Sequence, residues 1–283
     1  MIAVQKTHAE RMASRDGYFA PESVIRRVGN SPLVPMFGGG TAVLLQVAHP
    51  LVAAGVVYHS DYRQDLWRRL LRTLQAFYLI VYGSKAEAER AGEAVKAVHA
   101  HVRGNTLAGL GPFPAGTRFD ASDPQLMLWV HATLVATSLA AYRRFVEPLT
   151  AEEQEAYYRE MAVVAQVFGL PPSAIPATLA DFHEYLRERL TSPEICVTAP
   201  ARDVANVILE APLPAPLRLL APVHRLATAA LLPPRLREEY GLDWSRAHAV
   251  QLALAAPSLR VLAVPLFRLA GRHPSSRSLA YAT

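Results

Sequence analysis

Two short clusters of basic and imidazole side chains are the residues best suited to chemistry. Lys96, His99 and Arg103 recur three and four positions apart, the spacing that places side chains on one face of a helix. Arg69, Arg72 and Thr73 repeat that spacing one segment earlier. If the two segments form adjacent antiparallel helices, an imidazole, several guanidinium groups and a hydroxyl surround a common cavity. A neutral imidazole ligates iron, arginines pair with propionates or polarise bound oxygen, and apolar helix walls hold a macrocycle, so the combination suits haem. Spacing alone leaves a plainer alternative standing, because a lone helical His is also an ordinary hydrogen-bonded core or surface residue. His101 does not join this face: residues two apart lie about 200° apart around a helix, so His99 and His101 cannot hold one metal together. His49, within Gln46-Val47-Ala48-His49-Pro50, and His131, within Trp129-Val130-His131-Ala132-Thr133, sit in apolar surroundings. Each could line the cavity, act as an alternative iron ligand, or bond a neighbouring helix carbonyl.

Several common chemistries lose support. No His has a Glu or Asp three positions before it, so the paired Glu-x-x-His sets of helical di-iron proteins are absent. The sequence has no His-Glu-x-x-His zinc helix, no Gly-x-Ser-x-Gly nucleophile elbow and no Gly-x-x-x-x-Gly-Lys phosphate loop. Gly38-Gly39-Gly40 lacks the spacing of a dinucleotide fingerprint.

The elements that must position these residues read as helices. Ser84 with Glu87 forms a capping box ahead of a helix over Ala88 to Val102, and Thr150 with Glu153 forms another ahead of a helix ending near Gly169. Asp123-Pro124 reads as N-cap and first helical residue of the segment carrying His131. Further helices are expected from Thr41 to about Tyr58, bent at Pro50, from about Gln64 to Tyr82, and from Ile175 to Leu190. Shorter, proline-punctuated helices follow Pro200, with leucine-rich stretches at Leu217 to Leu232 and Ala247 to Leu269. Leu107 to Ala121, rich in Gly, Pro and Thr, reads as a loop, and sustained alternation is scarce, so few strands are expected.

Composition frames one large all-α domain over residues 1–283, with no Gly/Ser-rich or charge-rich linker. Hydrophobic residues make up 51% and charged residues 19%, which leaves room for an enclosed apolar cavity between core helices. The formal charge of +5 comes almost wholly from arginines dispersed along the chain, which argues against a nucleic-acid stripe. A basic bias in the C-terminal third, from Arg218 to Arg277, would favour an anionic membrane surface or an acidic partner, though a solvated basic face has the same composition. Cys196 is alone, which rules out an internal disulfide, and with no secretory signal pattern at the N-terminus the expected location is cytoplasmic. No charged residue lies between Arg27 and Asp61, yet Gln46, His49, Pro50 and the three glycines interrupt that stretch, so a buried helix beside a polar site is expected instead of a membrane span.

An ordered succession of motifs resembles the catalytic domain of the MpaB-type oxygenases and latex-clearing rubber oxygenases. It begins with Leu44-Leu45-Gln46-Val47-Ala48-His49-Pro50, Gly55, His59-Ser60 and Arg69-Leu70-Leu71-Arg72-Thr73. It continues with Val98-His99-Ala100-His101-Val102-Arg103-Gly104, Asp123-Pro124, Trp129 to Thr133, Tyr157-Tyr158 with Glu160, and Leu236-Arg237 through Tyr240-Gly241-Leu242. The likeness spans about residues 20–272, leaving an arm at 1–20 and a tail at 273–283 as peripheral. What the resemblance implies is an oxygenase holding haem b and using molecular oxygen on a hydrophobic small molecule, with oxidative cleavage of a carbon–carbon double bond, or else hydroxylation or another oxidation, as the outcome. It implies His99 as the axial iron ligand within a basic-x-x-His-x-x-x-Arg pattern formed by Lys96, His99 and Arg103. Arg69, Arg72 and Thr73 stand where the rubber oxygenases carry Arg-x-x-Lys-Thr. An arginine stays protonated and has no lone pair to donate, so Arg72 does not ligate iron, and the sixth position is open, water-bound or taken by a group such as His49. Two other readings fit the same residues: a non-catalytic helical haem or lipid carrier, and a haem-free hydrolase or isomerase with His49 or His131 as acid–base group.

Overall fold

A computed structural model describes residues 16–59, 66–210 and 217–270, apart from the side chains of 66–71, 260 and 262–270. Most of the expected arm at 1–20, the tail at 273–283 and the Arg69 side chain lie outside the described residues. Twelve α-helices occur among the described residues: α1 (Val24–Gly29), α2 (Leu33–Val47), α3 (Pro50–His59), α4 (Leu66–Tyr82), α5 (Lys85–His101), α6 (Pro124–Phe145), α7 (Ala151–Val167), α8 (Leu179–Thr191), α9 (Ala199–Glu210), α10 (Ala221–Leu231), α11 (Pro234–Glu239) and α12 (Arg246–Ala270). Two three-residue strands, β1 (Arg103–Asn105) and β2 (Arg118–Asp120), pair antiparallel with Gly104 opposite Phe119. The protein is all-α apart from this ribbon.

Helix starts follow local capping chemistry. Ser84 and Glu87 bond each other's backbone N–H groups in a complete capping box, and Thr150 with Glu153 and Thr178 with Asp181 do the same for α7 and α8. Asp123 caps α6 through the Gln125 N–H, and Pro124 occupies the first turn, where its missing N–H costs no bond.

The centre of the fold is the antiparallel pair α2 and α6. Trp129 Nε1 donates to the carbonyls of Leu45 and Gln46 at 3.2 and 3.3 Å, while at the other end Phe37 and Phe145 pack with tilted rings, centroids 4.8 Å apart. Contrary to the expected start at Thr41, α2 begins at Leu33 and runs through all three glycines. Each glycine costs a helix roughly 1 kcal/mol relative to alanine, and close approach offsets that cost here. A Cβ on Gly38 would sit 3.1 Å from the Thr137 carbonyl oxygen of α6, and one on Gly40 would sit 2.6 Å from Thr228 Oγ1 of α10.

At Ala48-His49 the chain turns by 103° from α2 into α3, so the long uncharged stretch forms two helices instead of one span. The pair passes a length-and-apolarity test for a membrane span, as does α6, but 61% of the α6 window is buried inside the fold. α6 is the core helix on which α2, α7, α10 and α12 pack.

Several motif residues serve as scaffolding. Glu160 accepts the Ile25 N–H at 2.6 Å at the start of α1. Tyr240 donates to the Leu44 carbonyl at 2.6 Å, and Glu239 accepts the Val197 N–H, which ties α11 to α2 and to the segment before α9. The buried Arg26 donates from Nε to the Val81 carbonyl at 3.0 Å, while Tyr82 donates its hydroxyl back to the Arg26 carbonyl, clasping α1 onto α4.

Candidate functional site

Helices α4 and α5 are joined only by Gly83 and Ser84 and pack against each other as an antiparallel hairpin. His99 lies 14 residues beyond the start of α5 and Arg69 lies 13 residues before the end of α4. At about 1.5 Å per residue the two Cα positions stand nearly level along the hairpin, and Arg72 lies about one turn further in. The two segments therefore lie side by side along the hairpin. His99 is half-buried with Nδ1 shielded from solvent, whereas Arg72 and Thr73 are exposed on α4. These two described side chains look outward and do not help to close an interior chamber.

The other two members of the predicted His99 set are placed differently from expectation. Helix α5 ends at His101, with Val102 as C-cap at φ −91° and ψ 80°, so Arg103 is the first residue of β1 and leaves the helical face. Arg103 is exposed. Lys96 pairs with Glu93 at 2.8 Å and lines an open hollow of about 260 Å³ with Tyr18, Val163 and Gln166. Its alkyl chain covers Gly169, where an added Cβ would meet Lys96 Cε at 3.2 Å. Its charge is thus held within α5, while its alkyl chain packs on the turn that follows α7. His101 bonds its own helix through Nδ1 and the Ala97 carbonyl at 2.7 Å and stands apart from His99, as the 200° argument requires.

Glycines draw α3 and the strand ribbon onto the open end of the hairpin. A Cβ on Gly55 would lie 3.3 Å from Val102 Cγ1, and one on Gly104 would lie 3.2 Å from Phe119 Cζ. Phe119 is buried there, and the exposed His59 packs edge-on against it with centroids 5.8 Å apart. Neither spacing argument selects His59 or Phe119. The sequence signal for His59 is its place four residues after Gly55, one turn along the same helix.

His49 occupies the α2–α3 corner, six residues before Gly55 and so about 9 Å away along the axis of α3. It is buried, accepts the Leu51 N–H through Nδ1 at 3.3 Å, and stacks on Phe113 with centroids 5.6 Å apart. Burial, with Arg189 adding to it, pushes its pKa down to about 4. His49 is thus a neutral ring committed to the corner and its loop, at the opposite end of α3 from the hairpin.

His131 lies inside the protein on α6 and is only 7% exposed. Its Nε2 is buried without a hydrogen-bond partner, and burial pushes the pKa down to about 4. Neutral at physiological pH, it carries a polar atom left unpaired in the interior. An unpaired buried polar group costs roughly 1–3 kcal/mol, a cost usually retained where a ligand completes the bond.

The donor set bears on the cofactor that a site here would take. Among the described residues no three His, Cys, Asp or Glu side chains converge to hold a metal ion. A single imidazole such as His99 could serve an iron whose other ligands come from a prosthetic group. Of the described side chains, His99 is the one on the hairpin that could ligate such an iron, and Arg72 stands exposed on the neighbouring helix.

Fold and family together define an all-α domain of oxygenase type. The chain belongs to the family described as ER-bound oxygenase mpaB/B'/rubber oxygenase, catalytic domain, whose pattern matches residues 26–261. Uncharacterized proteins of Mycobacterium tuberculosis and Mycobacterium bovis are each 28% identical to it over 211 residues, covering 72% of this chain and 79% of the relative. Among solved structures there is no match.

Proposed function

We propose that the protein is a haem-b-dependent oxygenase that uses molecular oxygen on a hydrophobic small molecule, with oxidative cleavage of a carbon–carbon double bond as the reaction. The observation that carries the reading is the level placement of His99 and the Arg69-x-x-Arg72-Thr73 segment on one helix hairpin. Family membership supports the oxygenase chemistry.

His99 would hold the iron, and its solvent-shielded Nδ1 suits an orientation in which the other ring nitrogen ligates. Arg69 and Arg72, permanently cationic, would pair with the carboxylates of the macrocycle, a task for which protonation is an advantage. Haem, when bound, supplies the oxygen activation. His131 would present its unpaired Nε2 toward the bound small molecules as a neutral hydrogen-bonding group, and its depressed pKa keeps it neutral throughout the physiological range. Thr73 would offer a hydroxyl on the arginine face. Apolar walls would exclude water and orient the substrate. His49 would shape the corner from a distance, and Lys96 would brace α5 against α7.

Oxygen consumption by haem-loaded protein with short prenyl alkenes, and mass analysis for carbonyl fragments, tests the reading. Uptake coupled to aldehyde or ketone products is expected. Haem binding without oxygen uptake across the alkene series would favour a carrier, and turnover by colourless, chelator-treated protein would favour the hydrolase or isomerase alternative.

A further inference from the structure

We infer that the exposed face of α12 docks the protein on an anionic phospholipid surface. Of the described large apolar side chains that stand most exposed, three lie on this helix: Val250 at 56%, Leu254 at 73% and Val261 at 71%. Their spacing of four and seven places them within about 40° of one another around the helix, with Arg246 and Pro257 on the same stripe. Buried Leu252 and Leu259 hold the opposite side of α12 to the core. The 3-10 turn Leu217–Leu220 packs beside α12 and adds Leu219, 75% exposed. The three α12 side chains form one exposed apolar stripe, with the exposed Leu219 on a neighbouring element, and such a stripe marks an interaction surface.

Charge identifies the partner. Asp243 is the last acidic residue of the chain, so residues 244–283 contain five arginines, Arg246, Arg260, Arg268, Arg272 and Arg277, and no Asp or Glu. Arg246 stands exposed at the start of the apolar stripe, and Arg225 is exposed on α10, which packs against α12. An amphipathic helix with an apolar face and purely cationic charge is the form that lies in a membrane interface, where the acyl boundary takes the apolar stripe and anionic headgroups take the arginines. A two-fold contact through this face would instead bring together two copies of α12, each with three arginines and no Asp or Glu in its sequence.

Flotation of the full chain with vesicles of phosphatidylcholine alone or with about 30% phosphatidylserine, at low and high salt, tests the inference. Binding to the anionic vesicles at low salt, at least about tenfold weaker on neutral vesicles and lost at high salt, is expected. Val250→Asp with Leu254→Asp should abolish it, and Arg246→Gln should weaken it about fivefold. All three sites are exposed, so circular dichroism should report an unchanged fold. Equal binding to both vesicle types, or undiminished binding by the double variant, would overturn the inference. So would absence of vesicle binding together with a concentration-dependent dimer that the double variant dissociates, which would assign the face to a second copy.

Discussion

Replacing His131 by leucine should stabilise the cofactor-free protein while removing its function. The wild-type ring is buried with Nε2 unpaired, so exchanging it for an apolar side chain of similar size removes a cost of roughly 1–3 kcal/mol at neutral pH. Acidification amplifies the difference. Burial lowers the folded-state pKa from 6.5 to about 4, so between those values the unfolded chain binds a proton that the folded chain refuses, and stability falls as pH falls. Above pH 6.5 the ring is neutral in both states and contributes no slope. By pH 5 the loss is about 2 kcal/mol, and below pH 4 it levels off near 3 kcal/mol. His49 loses stability in the same direction over the same window, since its folded pKa is also about 4, so the variant should retain about half of the combined dependence. Urea melts of both proteins at pH 7.5 and pH 5, without haem, give the two differences directly. A His131→Leu protein less stable than wild type at pH 7.5, or one with an unchanged slope, would show that the ring is satisfied in solution and refute the reasoning.

Three further substitutions test the framework. Gly92→Ala places a methyl group against the Val167 carbonyl and 2.8 Å from Val167 Cγ1, so it should destabilise the α5–α7 contact by about 1–3 kcal/mol in a denaturant melt. Ser84→Ala removes the side-chain half of the capping box that starts the His99 helix, leaving the backbone N–H of residue 84 to Glu87, and should cost about 1 kcal/mol, read as a lower midpoint with unchanged slope. Tyr240→Phe deletes the bond to the Leu44 carbonyl and should lower stability by about 1–2 kcal/mol without altering haem affinity, because α11 lies outside the hairpin.

The helical frame was legible wherever a cap spells itself out. Ser84, Asp123 and Thr150 start α5, α6 and α7 where local chemistry places them. Reading failed where tertiary contact overrides local preference. The early start of α2 depends on α6 and α10 lying close enough to exploit Gly38 and Gly40. Helix α8 begins at Leu179, with Thr178 and Asp181 as its cap, and the expected start at Ile175 falls in the segment containing Pro176. Strands of three residues are too short to alternate visibly, so β2 read as part of a loop and β1 was not foreseen.

The candidate site divides in the same manner. The pairing of the His99 and Arg69 segments follows from two helices and a two-residue turn, all local. Arg103 left the predicted face because the helix stops two residues before it, and Lys96 because Glu93 lies one turn before it and Gly169 opens a groove beside it. The association of His49 with Phe113, 64 residues away, is tertiary and carries no sequence signature.

The central claim is that His99 holds haem iron. The direct test is the absorption spectrum of protein produced with haem precursor supplied, compared among wild type, His99→Ala, His49→Ala and His131→Ala. An intense Soret band at about one haem per chain, lost or strongly shifted in His99→Ala alone, is the predicted result. A wild type that shows no band and cannot be reconstituted, or a band that survives in His99→Ala and disappears in either of the other variants, would contradict it.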